Sequence, residues 1–430
     1  MSRLPDPRFA PDCAILVDGE RLPARAGESI TSAMLAAGRP LVSRSSKYHR
    51  PRGPFCLSAS CASCMVRVDG EPNMRACETP CRDGLRVETQ NVLGGAAHDL
   101  LGAIDFLAPH GIDHHHVATW SQFANRLAVG ASRRLAGLGR LPDAVPGPWP
   151  VVAEERFDAV VVGAGPAGLG AAAALARSGM RVLLAERERG LGGRLRCRFE
   201  LPGDPPLAWA GDVADDLRRA GGEVAENAVA LGLWRDENVS LAAVAQRAGR
   251  PRLRLVRSPR WVLATGTWPQ PPPFAANDLP GIHAARGLAV ALAEDGVVPG
   301  ERMAVLGIGA EAQAVARRFE AAGMAVQEVA GGVVRARGRG RLAGLELSEG
   351  RSISCDTLAV ATGRAPASEL AREAGAALAL DRETGAFWVR PGEDGAVAPG
   401  VFAAGEATGA CTAAEAAESG RRAGDGAARG

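Results

Sequence analysis

The sequence has no surplus of charge of either sign. Its 50 Lys and Arg stand against 48 Asp and Glu, a net +2 over 430 residues. That balance excludes the strongly basic field with which chains engage nucleic acid or anionic membranes. There is no unbroken apolar run of about 18 residues, so no transmembrane segment is expected. Residues 1–12 contain no apolar stretch of the kind that forms a secretory signal. Only one tight C-x2-C pair is present, whereas structural zinc is usually held by two such pairs. No Ser-His-Asp set and no pair of carboxylates can be argued from the sequence, so no catalytic side chain is assigned. What is present is bulk for large cores, with 47% apolar residues, and 54 glycines that allow tight turns and close helix–sheet packing. The length allows two or three domains.

Nine cysteines are present, and four of them form a pattern. Cys56, Cys61 and Cys64 read C-x4-C-x2-C, and Cys77 follows after twelve further residues. This is the plant-type [2Fe–2S] ligand spacing, in which one loop supplies three thiolates and a later segment the fourth. Cys81 is a near alternative for the last ligand. Cys77 is preferred because a strand-like run from Met65 to Asp69 and a turn at Gly70 lead back to it. The other five, Cys13, Cys81, Cys197, Cys355 and Cys411, are dispersed, which suits a reducing compartment, and a cytoplasmic location is expected.

Around the cysteines the pattern reads strand, strand, helix, loop, strand. Residues 14–17 are apolar, Asp18-Gly19 signals a hairpin turn, and Arg21-Leu22 starts a second strand. Residues 29–38 predict a helix capped by hydroxyls and ended by Gly38. This is the plan of a ferredoxin-type β-grasp domain, placed at residues 10–92.

Ahead of the cysteines lies Ser45-Ser46-Lys47-Tyr48-His49-Arg50-Pro51-Arg52-Gly53. At this run the chain resembles the α subunits of heterotetrameric sarcosine oxidase and their relatives, hydrogen cyanide synthase, opine dehydrogenases and D-hydroxyproline dehydrogenase. A basic solvated loop is the plainer reading of the same residues. Sarcosine oxidase α subunits generally lack the cluster cysteines, so the resemblance in redox wiring is to the dehydrogenase and cyanide-synthase branch.

Residues 93–152 read as a helical linker. Residues 99–107 and 120–138 have helical spacing, and residues 141–150 form a Pro-rich connector. His114-His115-His116 point in different directions on any regular backbone and are read as a polar surface turn rather than a metal site.

Residues 153–290 and 350–430 are expected to form an FAD-binding domain. A buried strand at residues 157–162 runs into Gly163-Ala164-Gly165-Pro166-Ala167-Gly168 and an Ala-rich helix. This is G-x-G-x-x-G in its strand–turn–helix context, which brings a pyrophosphate onto a helix N-terminus. The next strand ends at Glu186, 23 residues after Gly163, where an acid accepts from a ribose hydroxyl. Three further segments resemble two-dinucleotide-binding flavoproteins: Arg187 to Gly193-Arg194, Ala264-Thr265-Gly266, and Gly405-Glu406. In that family the last acid lies near the flavin ribityl chain and is usually Asp; here it is Glu406. The expected architecture is therefore α/β, a β-grasp [2Fe–2S] domain followed by a Rossmann-like FAD domain.

Residues 291–349 are expected to be an abridged second dinucleotide-binding insert. Gly307-Ile308-Gly309-Ala310-Glu311-Ala312 has the strand and helix of a nucleotide loop, with Ala at the third glycine position. Two readings stand: a bound NAD or other adenine nucleotide, and a vestigial packing domain. Arg335, Arg337, Arg339 and Arg341 alternate and are read as one solvated face of a strand.

Cys197 has no partner thiol beside it in sequence, so disulfide reduction is not expected. The resemblance implies an electron-transfer subunit of a multisubunit amine or amino-acid dehydrogenase or oxidase of the sarcosine, hydroxyproline, opine or glycine type. It further implies a flavin-containing β subunit and an external electron acceptor. Because the chain ends soon after Glu406, folate-coupled formaldehyde capture is not expected. The alternative is a stand-alone NAD(P)H-dependent flavin and iron–sulfur reductase. A scaffold with a structural flavin is a third reading.

Overall fold

The computed structural model describes the chain apart from residues 1, 47, 91, 94, 104–117, 136–140, 143–146, 148–149, 152–153, 236–239 and 247–251. The His114–His116 run and Lys47 therefore lie outside the described residues. The chain divides into two units, residues 1–145 with 271–362, and residues 146–270 with 363–430.

In the first unit, alternation of apolar residues builds a five-stranded sheet. Its order is Glu20–Ala24, Cys13–Val17, Arg86–Thr89, Met65–Val68, Glu71–Arg75. Only the Cys13–Val17 and Arg86–Thr89 pair is parallel. Ile15, Val17, Leu22, Val66 and Val87 face one way, as the period of two requires, and pack with Ile30 and Met34. Those last two come from helix Ile30–Ala36, whose first turn is capped by Ser29 Oγ accepting from the Ser32 N–H at 3.0 Å. Gly38, at φ +76°, ends the helix as expected.

The same unit holds a second, parallel sheet in the order Ile282–Ala284, Thr357–Val360, Arg302–Leu306, Ala325–Val329. Helices Ala285–Asp295 and Ala310–Ala321 accompany it. The second nucleotide fold is thus wider than residues 291–349. Its sheet takes in Ile282–Ala284 and Thr357–Val360, which fall within the residues expected for the flavin domain. Arg302–Leu306 pairs in parallel with Thr357–Val360 on one edge and Ala325–Val329 on the other, and Ile282–Ala284 extends the sheet beyond Thr357–Val360. The strand carrying Arg335 stops at Arg337, so Arg339 and Arg341 lie in the turn beyond it. Arg335 and Arg337 are exposed and approach Glu346 across the hairpin at 3.9 and 3.6 Å. In the linker, the described residues include a 3-10 turn at Leu100–Gly102 and helix Gln122–Leu135.

The second unit is built on a six-stranded sheet in the order Glu223–Ala225, Val182–Ala185, Ala159–Val162, Trp261–Leu263, Val401–Ala403, Ala396–Ala398. All but the last are parallel. Val160–Val162 and Val182–Leu184 are almost wholly buried, the near-continuous apolar runs that a covered parallel sheet requires. Helices Pro166–Arg177 and Ala413–Arg429 pack on each other through small residues. A Cβ on Gly420 would stand 1.8 Å from Ala167 O, and one on Gly424 2.7 Å from Ala171 O. No helix among the described residues is long and apolar enough to cross a membrane.

Candidate cofactor sites

The loop between Cys56 and Cys61 has an unusual backbone. Leu57 and Ala59 both adopt left-handed conformations, at φ +54° and +59°. Such a backbone costs roughly 1–3 kcal/mol per non-glycine residue and persists only where surroundings impose it. Its effect is to turn N–H groups onto sulfur. The Ser58 N–H approaches Cys56 Sγ at 3.5 Å and the Ala59 N–H donates to Cys77 Sγ at 3.3 Å.

The four thiols are linked in a chain that runs Cys61, Cys56, Cys77, Cys64. Cys61 Sγ lies 3.3 Å from Cys56 Sγ, and Cys77 shares hydrogen bonds with Cys64 and Cys56. Hydrogen bonds from Cys61 and Cys77 hold the Cys56 thiol far below its ordinary range. Donation to Cys56 and Cys64 pushes Cys77 far above it. Among the described residues no three His, Cys, Asp or Glu side chains converge on a single-ion site. A two-iron cluster takes four thiolates, divided between its two metals. The donor set, the shared protons that metal would replace, and the sulfur-directed N–H groups all fit a [2Fe–2S] centre. Cys81 is buried in the same apolar cluster as Cys64 and Cys77, and its N–H donates to Glu28 O at 2.7 Å.

In the second unit, segments far apart in sequence close on the Gly163–Gly168 turn. A Cβ on Gly163 (φ +97°) would stand 2.4 Å from Ala264 O, and one on Gly168 1.7 Å from Gly163 O. Gly193 comes so close to Gly165 that a Cβ would stand 2.8 Å from its Cα, and one on Gly405 would lie 2.6 Å from Ala167 Cβ. Pro166 opens the helix, where its missing N–H is not needed. Glu186 is buried and accepts from the Ala164 N–H at 2.6 Å and the Glu188 N–H at 2.8 Å. Burial raises its pKa, with the nearby Glu188 charge adding to the effect and the two N–H groups opposing it. Arg187 lies 4.7 Å over the Trp268 ring. Thr265 Oγ1 donates to Ala367 O at 2.6 Å, and Gly266 turns the chain at φ +70°.

Glu406 is the centre of a polar cluster. Its carboxylate accepts from Arg194 at 3.1 Å, Arg364 at 3.2 Å and Thr267 Oγ1 at 2.9 Å. Arg194 also donates to Cys411 O at 2.7 Å. The sequence reading named Arg194 and Glu406 but missed Thr267, Trp268 and Arg364. Arg364 had a local signal, the Thr362-Gly363-Arg364-Ala365-Pro366 run; the other two had none.

The Gly307–Gly309 loop borders a cavity of about 430 Å³ lined mainly by apolar groups, among them Pro272, Phe274, Leu306, Ile308 and Val333. Its framework repeats the first turn: the Gly307 N–H donates to Val329 O as the Gly163 N–H does to Ala185 O. The residue after Ala185 is Glu186, whereas the residue after Val329 is Ala330. The second fold therefore has no acid at the position equivalent to Glu186. At the head of helix Ala310–Ala321, Glu311 accepts from both Nε and Nη2 of Arg286, at 2.9 and 3.0 Å.

Comparison with known proteins follows this layout. Residues 12–92 match the 2Fe-2S iron-sulfur cluster binding domain, residues 161–211 the NAD(P)-binding Rossmann-like domain, and residues 310–420 the pyridine nucleotide-disulphide oxidoreductase family. The chain is 31% identical over 416 residues to sarcosine oxidase subunit alpha of Rhizobium meliloti (strain 1021), an alignment covering 86% of this chain and 41% of that one. It thus spans about two fifths of that relative's length. It is 36% identical over 80 residues to hydrogen cyanide synthase subunit HcnA of Pseudomonas aeruginosa, covering 19% of this chain and 76% of HcnA. Among solved structures, L-proline dehydrogenase from P. horikoshii shares the fold, with a TM-score of 0.75 at 21% identity over 98% of this chain and 74% of that one.

Proposed function

We propose an electron-transfer role from one premise: the chain belongs to the family of the sarcosine oxidase α subunits and hydrogen cyanide synthase subunit HcnA. It is an oxidoreductase chain with a [2Fe–2S] domain and Rossmann-like domains for FAD. On our reading it is the electron-transfer subunit of a multisubunit amine or amino-acid dehydrogenase. A flavin-containing β subunit would hold the site that oxidises the substrate C–N bond, and an external acceptor would take the electrons. The substrate class is a secondary amine such as sarcosine, hydroxyproline or an opine, or glycine. A reducing compartment such as the cytoplasm suits nine cysteines, none of them in a disulfide.

The observation that carries this reading is the pairing of two cofactor sites on one chain without a redox dithiol. Cys197 is buried and has no cysteine two to five positions away. When bound, FAD takes up two electrons and releases them singly, and the cluster moves them one at a time. The chain's own residues hold and shape. The N–H groups at the head of helix Pro166–Arg177 receive the pyrophosphate. Gly163, Gly165, Ala167 and Gly168 allow its approach, and Glu186 accepts from the ribose. Arg187, Gly193, Arg194, Ala264, Thr265, Gly266, Gly405 and Glu406 complete the FAD envelope. Cys56, Cys61, Cys64 and Cys77 hold the irons.

One observation favours the alternative, an NAD(P)H-dependent reductase: the cavity at Gly307–Gly309. Ala330 argues against it, because no carboxylate is there to accept from a ribose hydroxyl. Anaerobic reduction separates the two. NADH alone is expected to leave the flavin oxidised, and amine substrate is expected to bleach it only once the β subunit is added. Rapid bleaching by NADH alone would replace this proposal with the reductase.

A further inference from the structure

The second nucleotide fold is built into the iron–sulfur side of its own unit. The segment entering helix Ala285–Asp295 lies directly against the first cluster cysteine. A Cβ on Gly287 would stand 2.3 Å from Cys56 O and 2.8 Å from Leu57 Cβ. The Ala284 N–H donates to Phe55 O at 2.8 Å, and His283 Nδ1 lies 2.6 Å from Pro54 O. His283 is fully enclosed, and a carbonyl can only accept, so Nδ1 carries the proton. Phe55 and Cys56 share one apolar cluster with Ile282, Ala284, Leu306 and Leu358. Leu57 packs against a second cluster of Leu35, Ala291 and Val297.

The far end of the helix is held as firmly. Asp295 is buried and accepts from Ser32 Oγ at 2.6 Å and from Arg25 at 2.5 Å. Residues Ser2–Arg3 pair as a strand with Val297–Val298. The helix adds a restraint on this loop at Cys56 and Leu57, beside the N–H groups of Ser58 and Ala59 that approach sulfur. Without a side chain at 287, it can press on the carbonyl of Cys56 and hold the loop that aims N–H groups at Cys56 and Cys77.

We propose that His283 and Gly287 are positioning residues of the [2Fe–2S] site, and that the second nucleotide fold serves this chain as the back wall of its cluster. The proposal rests on the assignment of Cys56 as a ligand. Hydrogen bonds to the sulfurs are among the determinants of a cluster's reduction potential. Residues that hold those bonds therefore act on potential and retention, not on folding alone.

The test uses the full chain purified anaerobically, with iron per chain, loss of iron to a chelator, and the cluster midpoint potential as readouts. Gly287→Ala is expected to lose iron roughly 10- to 100-fold more readily, as outer-shell changes at metal sites do, and to shift the midpoint, with flavin content unchanged. His283→Leu is expected to shift the midpoint, and His283→Gln, which keeps an N–H donor, to restore it. Phe319→Leu, a core change elsewhere in the same fold, serves as the control for lost stability. The inference is overturned if Gly287→Ala and His283→Leu keep wild-type retention and potential, or if Phe319→Leu moves both equally. Absence of iron from the wild-type chain would overturn the cluster assignment as well.

Discussion

At the scale of single residues, Cys61 and His283 carry different kinds of consequence. Cys61 lies 3.3 Å from Cys56 and outside the described strands, so Cys61→Ser is expected to remove the iron–sulfur absorption while flavin stays bound. A normal cluster spectrum in that variant would refute the ligand set. His283 is a stability residue as well as a positioning one. Burial pushes its pKa down to about 4 from 6.5, opposed by the Pro54 carbonyl. The unfolded chain therefore binds a proton below about pH 6.5 that the folded chain refuses until about pH 4. Stability falls as pH drops through that window, by on the order of 3 kcal/mol from this group, and is unaffected above it. Denaturant unfolding of wild type and His283→Gln across the window should show a shallower pH slope in the variant. Carboxylates titrate in both, so equal slopes would mean that His283 charges freely in the fold.

At the scale of elements, glycine acts in two opposite ways. Gly420 sits where helix Ala413–Arg429 crosses helix Pro166–Arg177, with backbone rather than a flexible side chain in the way of a Cβ. Gly420→Ala is expected to cost about 1–3 kcal/mol or more by overpacking. Because the helix it crosses, Pro166–Arg177, begins at the Gly163–Gly168 turn, FAD content should fall with the melting temperature. Gly211, exposed on helix Ala208–Arg219, has open space around its Cβ position. Gly211→Ala is expected to raise stability by about 0.5–1 kcal/mol through helix propensity and the entropy of the unfolded chain. Thermal melts of the two variants should move in opposite directions.

At the scale of the molecule, the two units predict separable cofactors. All four cluster cysteines belong to residues 1–145 with 271–362, and the Gly163 and Glu406 segments belong to the other unit. Stripping iron with a chelator is expected to lower the unfolding temperature of the first unit while leaving flavin absorption in place. Simultaneous loss of both chromophores would show that the units do not retain their cofactors independently.

The local grammar of this protein is legible in its amino-acid order alone. Ligand spacing at Cys56, Cys61, Cys64 and Cys77, and the strand–turn–helix at Gly163–Gly168, are short-range patterns. Thiolates and pyrophosphates impose them within a single loop, so they can be read without a fold. The α/β class followed from the same reasoning, since buried runs such as residues 159–162 call for parallel neighbours. Tertiary structure decided what meets what. That Glu406 would be held by Arg194, Arg364 and Thr267 joins positions up to 212 residues apart, and no local periodicity encodes such a contact. That Ile282–Ala284 would join the second sheet was equally hidden, because a three-residue strand with His283 at its centre carries too little pattern to choose between two sheets. Gly287 shows the same limit most sharply. In sequence it is a helix-weakening glycine, and only the position of the Cys56 carbonyl explains why a Cβ has no room there.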